Sequence, residues 1–464
     1  MRHDERHARR EDAAEKAQGF GAEGRGGMSV APYPEYKDSG VEWIGQVPAH
    51  WRVGKLGHFC HLRSGFAFAS DAFGIEGVAV VRMNNLRRGR LELGDAARIP
   101  ESACVEAASL AEGDLVWGMS GSTGETGSLG NHARVFAEDL PCQLNQRVGR
   151  FEIRECALET KFLELMIQTN YFYEQIMLFV TGTAQYNVSA GQVQSCIVAI
   201  PSINEQEAIA AFLDQETGKI DALVAEQERL IALLKEKRQA VISQAVTKGL
   251  NPNAPMKDSG IEWLGQVPAH WTITKTSYLF KSAMGQTILA EELVEDGEWP
   301  VFSATEGDHY FGRINNPEVR LDAGDIVIPA RGNSIGHVKL VKEPSTTTQT
   351  TIYCKLRTLE KVLARFAYHY FRGCKEWLFY FTQTAIPQIT VREVNSNPTL
   401  VPPMLEQAEI ADFIEDAQTE FDTLITEATQ AITLLRERRA ALISAAVTGK
   451  IDVRSLAPTK QEAA

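Results

Sequence analysis

The sequence lacks long apolar runs and paired cysteines, and each absence excludes a class of protein. No stretch approaches the ~18 consecutive apolar residues of a membrane-spanning helix. No apolar segment follows the charged N-terminus, so no secretory signal peptide is predicted and we expect a cytoplasmic protein. The seven cysteines include no CxxC pair, which predicts reduced, mostly buried thiols. The group His58, Cys60 and His61 is expected to be packing, and no metal site is predicted.

Basic residues are also in short supply. Lysine and arginine number 47 against 60 aspartates and glutamates, which gives a formal net charge of −13. A protein that binds nucleic acid through its own surface alone usually carries a positive balance. The composition therefore argues against a chain that obtains tight nucleic-acid binding from its own phosphate contacts.

Motifs of common catalytic sites are missing as well. The glycine-rich segment from Gly118 lacks the GK[ST] ending of a phosphate-binding loop and is predicted to be a flexible loop. No NPPY-like or DPPF-like tetrapeptide is present, so we do not expect the chain to transfer methyl groups or to be an enzyme. Asp139, Glu159 and Lys161 have a spacing similar to a nuclease carboxylate–lysine set, which leaves a nuclease as a less favoured alternative.

The most informative feature that is present is an internal duplication. The fifteen residues KDSGVEWIGQVPAHW at 37–51 recur as KDSGIEWLGQVPAHW at 257–271, identical at thirteen positions. Two further pairs of blocks match: PSINEQEAIAAFLD from Pro201 with PPMLEQAEIADFIE from Pro402, and LLKEKRQAVISQAVT from Leu233 with LLRERRAALISAAVT from Leu434. The intervening residues, roughly 53–199 and 273–400, share little. Such a chain is expected to present two different surfaces on two copies of one scaffold.

The length of 464 residues exceeds what one hydrophobic core usually supports, so two domains with connecting elements are expected. Residues 1–27 are rich in Arg, Glu and Gly, and we expect them to be disordered. A translation start at Met28 is one alternative, and a basic arm that contacts nucleic acid is another. The predicted organisation is an N-terminal extension (1–33), a first variable domain (34–200), a long helix (201–250), a linker (251–256), a second variable domain (257–400), a second long helix (401–450) and a tail (451–464).

Each copy should end in one long helix. The first is predicted to begin after Pro201 with Asn204 as N-cap, and to run to about Lys248, where Gly249 stops it. Apolar residues recur along each helix at helical spacing: Ile209, Leu213, Ile220, Leu223, Leu230, Leu234, Val241 and Ala245, matched by Ile410, Ile414, Phe421, Leu424, Ala431, Leu435, Leu442 and Ala446. Rods of roughly 65 Å need a partner, so we expect the two helices to pack as an antiparallel coiled coil about a pseudo-two-fold axis. The alternative is that each helix packs only on its own domain.

The variable domains are predicted to be of the α+β class. Apolar runs entered through turns at 77–83, 113–119 and 324–330 predict short buried strands. Residues 158–180 and 359–382 are predicted to be helical from their apolar spacing.

Taken together, the repeated motifs resemble those of the DNA specificity subunits of type I restriction-modification systems. The resemblance rests on the SGxEWxGxVPxHW opening, a GTAQYN or QTAIPQ segment and an EQxxI helix start, all duplicated within 34–451. It implies that each variable domain is a target-recognition domain for one half of a bipartite site in double-stranded DNA. It also implies that the long helices are a spacer and docking surface for two methyltransferase subunits, with restriction subunits as possible further partners. S-adenosylmethionine, ATP and magnesium are then expected on those partners and not on this chain. A two-armed protein-interaction adaptor without DNA recognition is the alternative.

Residues that recognise bases can be suggested from chemistry and position. Arginine suits guanine, and asparagine or glutamine suits adenine, through paired hydrogen bonds in the major groove. Polar loops after predicted strands supply Arg82, Asn84, Asn85, Arg87, Ser120, Thr123, Arg331, Asn333 and Ser334. The segments before each long helix add Thr183, Gln185, Tyr186, Asn187, Gln383, Thr384 and Gln388. The alternative for each is a turn residue or a buried hydrogen-bonding residue.

Overall fold

The computed structural model describes residues 31–41, 44–87, 89–123, 127–154, 157–181, 186–305, 307, 309–332, 334–357, 360–379 and 388–456. Most of the predicted N-terminal extension, residues 1–30, lies outside this range. Two compact units divide the chain: unit 1 comprises Met1–Val224 with Leu434–Ala464, and unit 2 comprises Ala225–Thr433. No helix within the described range is both long and apolar enough to cross a membrane.

Unit 1 is a mixed structure of short strands and helices. The strands are β1 (Tyr36–Asp38), β2 (Gln46–Pro48), β3 (Arg52–Lys55), β4 (Cys60–Ser64), β5 (Val78–Val81), β6 (Leu86–Arg87), β7 (Arg90–Leu91), β8 (Arg98–Ile99), β9 (Leu115–Gly118), β10 (Ser120–Gly121), β11 (His132–Arg134), β12 (Cys142–Leu144), β13 (Val148–Ile153), β14 (Tyr186–Asn187) and β15 (Ile197–Ile200). The helices are α1 (Thr160–Ile167), α2 (Asn170–Phe179), α3 (Ala190–Gln194) and α4 (Ile203–Lys248), whose residues from Ala225 onward belong to unit 2.

Two sheets organise unit 1. One is antiparallel with strand order β11-β9-β13-β4, and the other has the order β12-β5-β8, with β12 parallel to β5. The predicted strands at 77–83 and 113–119 are confirmed as β5 and β9, and every residue of both is buried. These two strands are continuous apolar runs because each lies within a core.

Unit 2 contains the remaining elements. Its strands are β16 (Met256–Asp258), β17 (Gln266–Pro268), β18 (Thr272–Lys275), β19 (Phe280–Met284), β20 (Trp299–Phe302), β21 (Gly312–Ile314), β22 (Ile326–Pro329), β23 (Lys339–Leu340), β24 (Thr346–Thr347), β25 (Thr351–Leu356) and β26 (Pro398–Val401). Its helices are α5 (Thr276–Leu279), α6 (Ala364–Gly373), α7 (Lys375–Leu378), α8 (Val391–Ser396) and α9 (Met404–Val447), whose residues from Leu434 belong to unit 1.

The sheets of unit 2 repeat those of unit 1. The antiparallel sheet has the order β19-β25-β22-β23, and the smaller sheet has the order β21-β20-β24, with β20 parallel to β24. In each unit a further strand pair, β3 with β15 or β18 with β26, joins the start of the variable segment to its end. The two variable segments therefore share one fold although their sequences share little, and the predicted α+β class is confirmed.

Several helix boundaries differ from the prediction. The carbonyl of Ser202 accepts hydrogen bonds from the N–H groups of Glu205 and Gln206, so α4 begins at Ile203 and the predicted N-cap, Asn204, lies inside the helix. The predicted helix at 158–180 is two helices, α1 and α2, because the chain leaves the helical conformation at Thr169, the N-cap of α2. Residues 359–382 likewise contain α6 and α7.

Antiparallel pairing of the long helices is visible inside each unit. In unit 1, Ile209 of α4 belongs to the same core as Ala446 of α9, and Arg439 Nε lies 3.0 Å from Asp221 Oδ1 in an ion pair. In unit 2, Ala245 shares a core with Ile410, and Arg238 pairs with Asp422. Each core thus contains residues of both helices, so the alternative in which each helix packs only on its own domain is wrong.

The apolar stripe of the long helices is buried less evenly than its regular spacing suggests. Ile209 and Ile410, near the helix starts, are fully buried, whereas Leu223, Leu230 and Leu424 are 45%, 43% and 40% exposed. The middle of the stripe therefore offers apolar surface that the chain does not cover itself.

Candidate nucleic-acid interface

The duplicated blocks contact each other within each unit. In unit 1, His50 Nε2 lies 2.8 Å from Glu205 Oε2, and Trp51 Nε1 donates to Glu205 Oε1 at 3.0 Å. In unit 2, His270 Nε2 lies 2.7 Å from Glu406 Oε2. In both units the histidine of the HW pair thus contacts the glutamate of the EQ pair at the start of the following long helix, and in unit 1 the tryptophan does so as well.

The glutamine of each EQ pair has a second structural role. The buried Gln206 accepts from the Glu159 N–H at 2.7 Å and donates to the Pro201 carbonyl at 3.0 Å. Its equivalent, the buried Gln407, accepts from the Leu363 N–H at 2.7 Å. Both amides satisfy backbone groups that would otherwise be buried without partners. The repeated residues therefore build the scaffold, and differences in recognition have to lie between them.

Residues of the nuclease alternative have structural roles instead. Glu159 caps α1 by accepting from the Phe162 N–H at 2.6 Å, and Asp139 accepts from the Phe136 N–H at 2.8 Å. Lys161 forms ion pairs with two other carboxylates at 3.3 and 3.4 Å. Each of the three is accounted for by local structure, and none has to be invoked for catalysis.

The histidine and cysteine group at 58–61 does not point to a metal. Cys60 is fully buried on one side of β4, whereas His58 and His61 are exposed. Burial raises the pKa of the Cys60 thiol to about 12, which disfavours the thiolate that binds metals. Within the described part of the chain, no cluster of His, Cys, Asp and Glu has an arrangement that could hold a metal ion.

Four chain segments of unit 1 meet at the end of its antiparallel sheet. Just after β9, the Met119 N–H donates to the Arg147 carbonyl at 2.9 Å, and the Met119 carbonyl accepts from the Val188 N–H at 3.0 Å. Just after β4, the carbonyl of Phe66 accepts from the Gln146 N–H at 3.0 Å. Backbone hydrogen bonds therefore hold the residues around 66, 119, 146 and 188 side by side.

Unit 2 repeats this backbone arrangement bond for bond. The Ala330 N–H donates to the Thr350 carbonyl at 2.9 Å, and the Ala330 carbonyl accepts from the Ile389 N–H at 2.9 Å. The carbonyl of Gln286 accepts from the Gln349 N–H at 2.7 Å. The matching bonds identify equivalent residues in the two units where the sequences could not be aligned.

These bonds define two sets of equivalent side chains, which we call junction 1 and junction 2. Junction 1 consists of Phe66, Ser120, Gln146, Arg147 and Asn187. Junction 2 consists, in the same order, of Gln286, Arg331, Gln349, Thr350 and Gln388. Only the third position has the same residue in both. A shared backbone with different hydrogen-bonding side chains is what two recognition surfaces of different specificity require.

The side chains of junction 1 contact one another. Asn187 Oδ1 accepts from Ser120 Oγ at 2.7 Å and from Arg147 Nη1 at 3.2 Å. Ser120 is buried, whereas Gln146 and Arg147 are exposed. Ser120 therefore positions Asn187, and the exposed guanidinium and amide are the groups that an external ligand can reach. Tyr186, beside Asn187, is half-buried.

In junction 2 the exposed polar side chains are Arg331, Gln349 and Gln388. Gln349 Oε1 accepts from Thr287 Oγ1 at 3.1 Å, which holds one end of its amide. Two sequence-predicted residues, Arg331 and Gln388, are thus brought to one place, as Ser120 and Asn187 are in unit 1.

The predicted group around residue 85 is divided between scaffold and surface. Asn85 is buried, accepts from the Arg82 N–H at 2.9 Å and donates to the Glu92 carbonyl at 2.9 Å. Its amide therefore closes a turn within unit 1 and is not presented to solvent. Asn84 and Arg87 are exposed, and Arg87 lies 3.6 Å from a carboxylate oxygen of Glu92.

Of the remaining predicted residues, two lie within the part of the chain that the structure describes and five lie outside it. Thr123 is half-buried, and Ser334 is buried with no hydrogen-bond partner for its Oγ within the described residues. The other predicted residues lie outside the described residues: Thr183, Gln185, Asn333, Gln383 and Thr384.

Sequence reasoning missed the segment that precedes β13 and β25. Gln146 and Gln349 occupy the same position before these strands, and each is followed by a second hydrogen-bonding residue, Arg147 or Thr350. A search for polar residues before predicted strands, as well as after them, would have found this pair.

Two copies of one mixed fold, each with its own variable polar junction and each followed by a long helix, define a tandem-duplicated α+β protein. The chain belongs to the type I restriction-modification specificity subunits: the family model described as the type I restriction modification DNA specificity domain matches residues 48–231 and 268–434. The resemblance expected from the duplicated motifs is confirmed.

Relatives agree with this assignment, and two solved structures share the fold. The chain is 21% identical over 423 residues to the StySPI specificity subunit of Salmonella potsdam, covering 88% of this chain and 90% of that one. It is 21% identical over 441 residues to the EcoKI specificity subunit of Escherichia coli K12, with the same coverage of 88% and 90%. The solved HsdS subunit from Thermoanaerobacter tengcongensis shares the fold, with a TM-score of 0.52, 16% identity and coverage of 87% and 98%. A chain from a structure of type I restriction-modification complex assembly has a TM-score of 0.64 at 16% identity, covering 87% and 99%.

Proposed function

We propose that this chain selects the DNA target of its complex, with unit 1 recognising one half of a bipartite site and unit 2 recognising the other. The observation that carries the proposal is the pair of junctions, in which one hydrogen-bonded backbone presents two different sets of side chains. Separate halves follow because each junction belongs to its own compact unit.

The junction side chains have the chemistry of base recognition. Arg147 and Arg331 carry exposed guanidinium groups that suit the two acceptors of guanine in the major groove. Gln146, Gln349 and Gln388 carry exposed amides that suit the donor and acceptor of adenine. We assign these five residues to direct base contacts, and the buried Ser120 and Asn85 to positioning.

The proposal also assigns phosphate contacts and cofactors to partner subunits. The net charge of −13 leaves phosphate neutralisation to basic partners, since that term usually dominates DNA affinity. We assign the half-exposed apolar stripe at Leu223, Leu230 and Leu424 to the docking of two methyltransferase subunits. S-adenosylmethionine, ATP and magnesium are assigned to those partners and to any restriction subunits. The chain itself is proposed to be non-catalytic and to act in the cytoplasm.

Methylation mapping tests the proposed function. Cells with and without this chain, both expressing its methyltransferase, are compared by mapping methylated adenines across the genome. We expect one split motif to disappear with the chain, and its two halves identify the two recognised words. An unchanged methylation pattern would favour the adaptor without DNA recognition.

We expect the purified chain alone to bind DNA weakly, because its acidic balance provides few phosphate contacts. Co-purified methyltransferase should give specific binding to the mapped split site. Fluorescence anisotropy with duplexes that carry the intact or scrambled site measures both. Tight, sequence-specific binding by the isolated chain would contradict the assignment of phosphate contacts to the partners.

The long helices are expected to set the gap between the two half-words. Recognition modules on one face of a duplex need centres about one helical turn apart, ~34 Å. Four residues inserted near Glu226 would lengthen α4 by roughly 6 Å. We therefore expect a gap longer by one or two base pairs, at ~3.4 Å each, with both half-words unchanged.

A double-insertion variant is the control for this experiment, because two ion pairs between the helices lie on either side of the insertion point. Asp221–Arg439 and Arg238–Asp422 flank the insertion point, so an insertion in α4 alone disturbs the pairing of the two helices. A second variant carries four residues in α9 as well, between Asp422 and Arg439, and lengthens both helices together. Sequencing the methylated sites of both variants gives the gap. An unchanged gap in an active double-insertion variant would mean that the helices hold the complex together without setting its spacing.

A further inference from the structure

Phe66 is the one aromatic member of the two junctions. Its side chain is 46% exposed, although it lies between backbone hydrogen bonds to the segment that contains Gln146 and Arg147. The equivalent residue in junction 2 is Gln286, whose amide oxygen accepts from the Val319 N–H at 2.6 Å. The same place in the fold therefore presents an apolar ring in unit 1 and a polar amide in unit 2.

The backbone of Phe66 is held rigidly. Its N–H donates to the Leu144 carbonyl at 2.8 Å, and its carbonyl accepts from the Gln146 N–H at 3.0 Å. The preceding residue must be glycine, because a Cβ on Gly65 would lie 2.2 Å from the Leu144 carbonyl oxygen. Gly285 has the same close approach before Gln286, with a distance of 2.4 Å. Position 66 is thus a fixed point of the scaffold at which only the side chain differs.

The Phe66 ring packs in a row with other aromatic residues. Its centroid lies 5.1 Å from that of Phe68 in an edge-to-face arrangement, and Phe68 lies 6.4 Å from Phe73. The guanidinium of Arg82 lies 4.6 Å from the centroid of Phe73. Phe66 is therefore the exposed end of an aromatic row, and Arg82 contacts the ring of Phe73 at the other end of that row. An exposed apolar ring in the same junction as the exposed Arg147 guanidinium fits a ligand that carries both phosphates and an apolar group.

We propose that Phe66 contacts the 5-methyl group of a thymine in the half-site recognised by unit 1, and that it is a specificity-determining residue. The inference rests on the proposed function. The thymine methyl is the apolar group on the major-groove edge of a base pair, and a phenylalanine ring is a known kind of partner for it. The neighbouring Arg147 and Gln146 suit guanine and adenine, so junction 1 combines three different base contacts.

Uracil substitution tests the contact directly, because uracil pairs as thymine does but lacks the methyl group. The full chain is co-purified with its methyltransferase, and duplexes carry the mapped site with single thymines of the unit 1 half replaced by uracil. We expect one replacement to lower kcat/KM for methylation about fourfold, which corresponds to ~0.8 kcal/mol for one buried methyl group. Phe66→Gln, which introduces the residue of junction 2, should methylate the thymine and uracil duplexes equally.

Three controls separate the possible outcomes. Ile75→Gln changes another apolar side chain of unit 1, 94% exposed, and should keep the full preference for thymine. Uracil in the unit 2 half should affect the wild-type and Phe66→Gln complexes alike. The inference is overturned if no thymine of the half-site matters, or if Phe66→Gln retains the thymine preference. The second result includes a variant whose rates on the thymine and uracil duplexes both fall by the same factor relative to wild type, as loss of an intercalating wedge would produce. Failure of the proposed function is distinct, since the wild-type complex would then methylate no split site.

Discussion

A chimaera in which residues 272–400 come from a related specificity subunit is expected to methylate sites with one new half-word and one unchanged half-word. The expected change is complete for the half assigned to unit 2, because the exchanged segment contains all of junction 2. The half assigned to unit 1 should be unaffected, since junction 1 and its supporting strands remain native. Genome-wide methylation mapping of the chimaera reports both halves in one experiment.

The strand pairing explains why these boundaries should give a folded protein. β18 and β26 pair with each other in antiparallel fashion, Thr272 opposite Val401 and Ile273 opposite Leu400, so the two boundaries lie side by side at one end of this pair. The retained part keeps the contact between His270 and Glu406. The donor should have a glycine at position 373, because a Cβ there would lie 3.0 Å from a side-chain carbon of Val246 in α4.

The reciprocal exchange is the matched control. Residues 52–200 are bounded in the same way by the pair of β3 and β15. Their replacement should change the other half-word only. If either chimaera is active and changes both half-words, the two units do not recognise DNA independently.

Replacing Gly65 with alanine is expected to lower the rate of methylation of the split site at least tenfold. The added Cβ would lie 2.2 Å from the Leu144 carbonyl oxygen and 2.6 Å from the Asn145 carbonyl oxygen, and both obstacles are backbone atoms. The end of β4 must then separate from the segment before β13, which displaces Phe66, Gln146 and Arg147 together. We expect a loss of at least tenfold in methylation rate and ~1–3 kcal/mol of stability, the usual range for overpacking.

Gly74→Ala is the control for this substitution. Nothing lies within 4 Å of a Cβ at Gly74, which is also in unit 1, so stability should change by no more than ~0.5 kcal/mol. Initial rates on the mapped duplex and thermal unfolding of the purified complex are measured for both variants. A Gly65→Ala complex with the wild-type rate and unfolding temperature would show that junction 1 tolerates displacement and does not recognise the site.

The scaffold could be predicted from the sequence to a large extent. Dense apolar runs predicted β5, β9 and β22, and the end of α4 was predicted at Lys248 because Gly249 follows, with a φ of +72°. The missed break at Thr169 has a local cause. Thr169 lies within an apolar pattern of helical spacing, and this pattern predicts one continuous helix although Thr169 is the N-cap position of a second one.

The junctions could be predicted only in part. Ser120, Arg331, Asn187 and Gln388 were suggested because they follow predicted strands or precede the long helices, but nothing in the sequence indicated that they are equivalent in pairs. The variable segments differ in loop lengths, so the offset between equivalent residues changes from one segment to the next. Asn85 shows a second reason why the site could be predicted only in part. An asparagine in a polar run suits base recognition and turn formation equally, and here its side chain closes a turn.

The order in which the chain is synthesised affects the two units differently. The core of unit 1 includes Ile443, Ala446 and Val453, which are translated after every residue of unit 2. Unit 2 can therefore complete its core while unit 1, although begun first, still lacks part of its own. The usual order of domain folding, in which the N-terminal domain is finished first, is reversed in this chain. Until the chain is released from the ribosome, unit 1 therefore leaves part of its apolar core exposed, and that surface is the part at risk of aggregation.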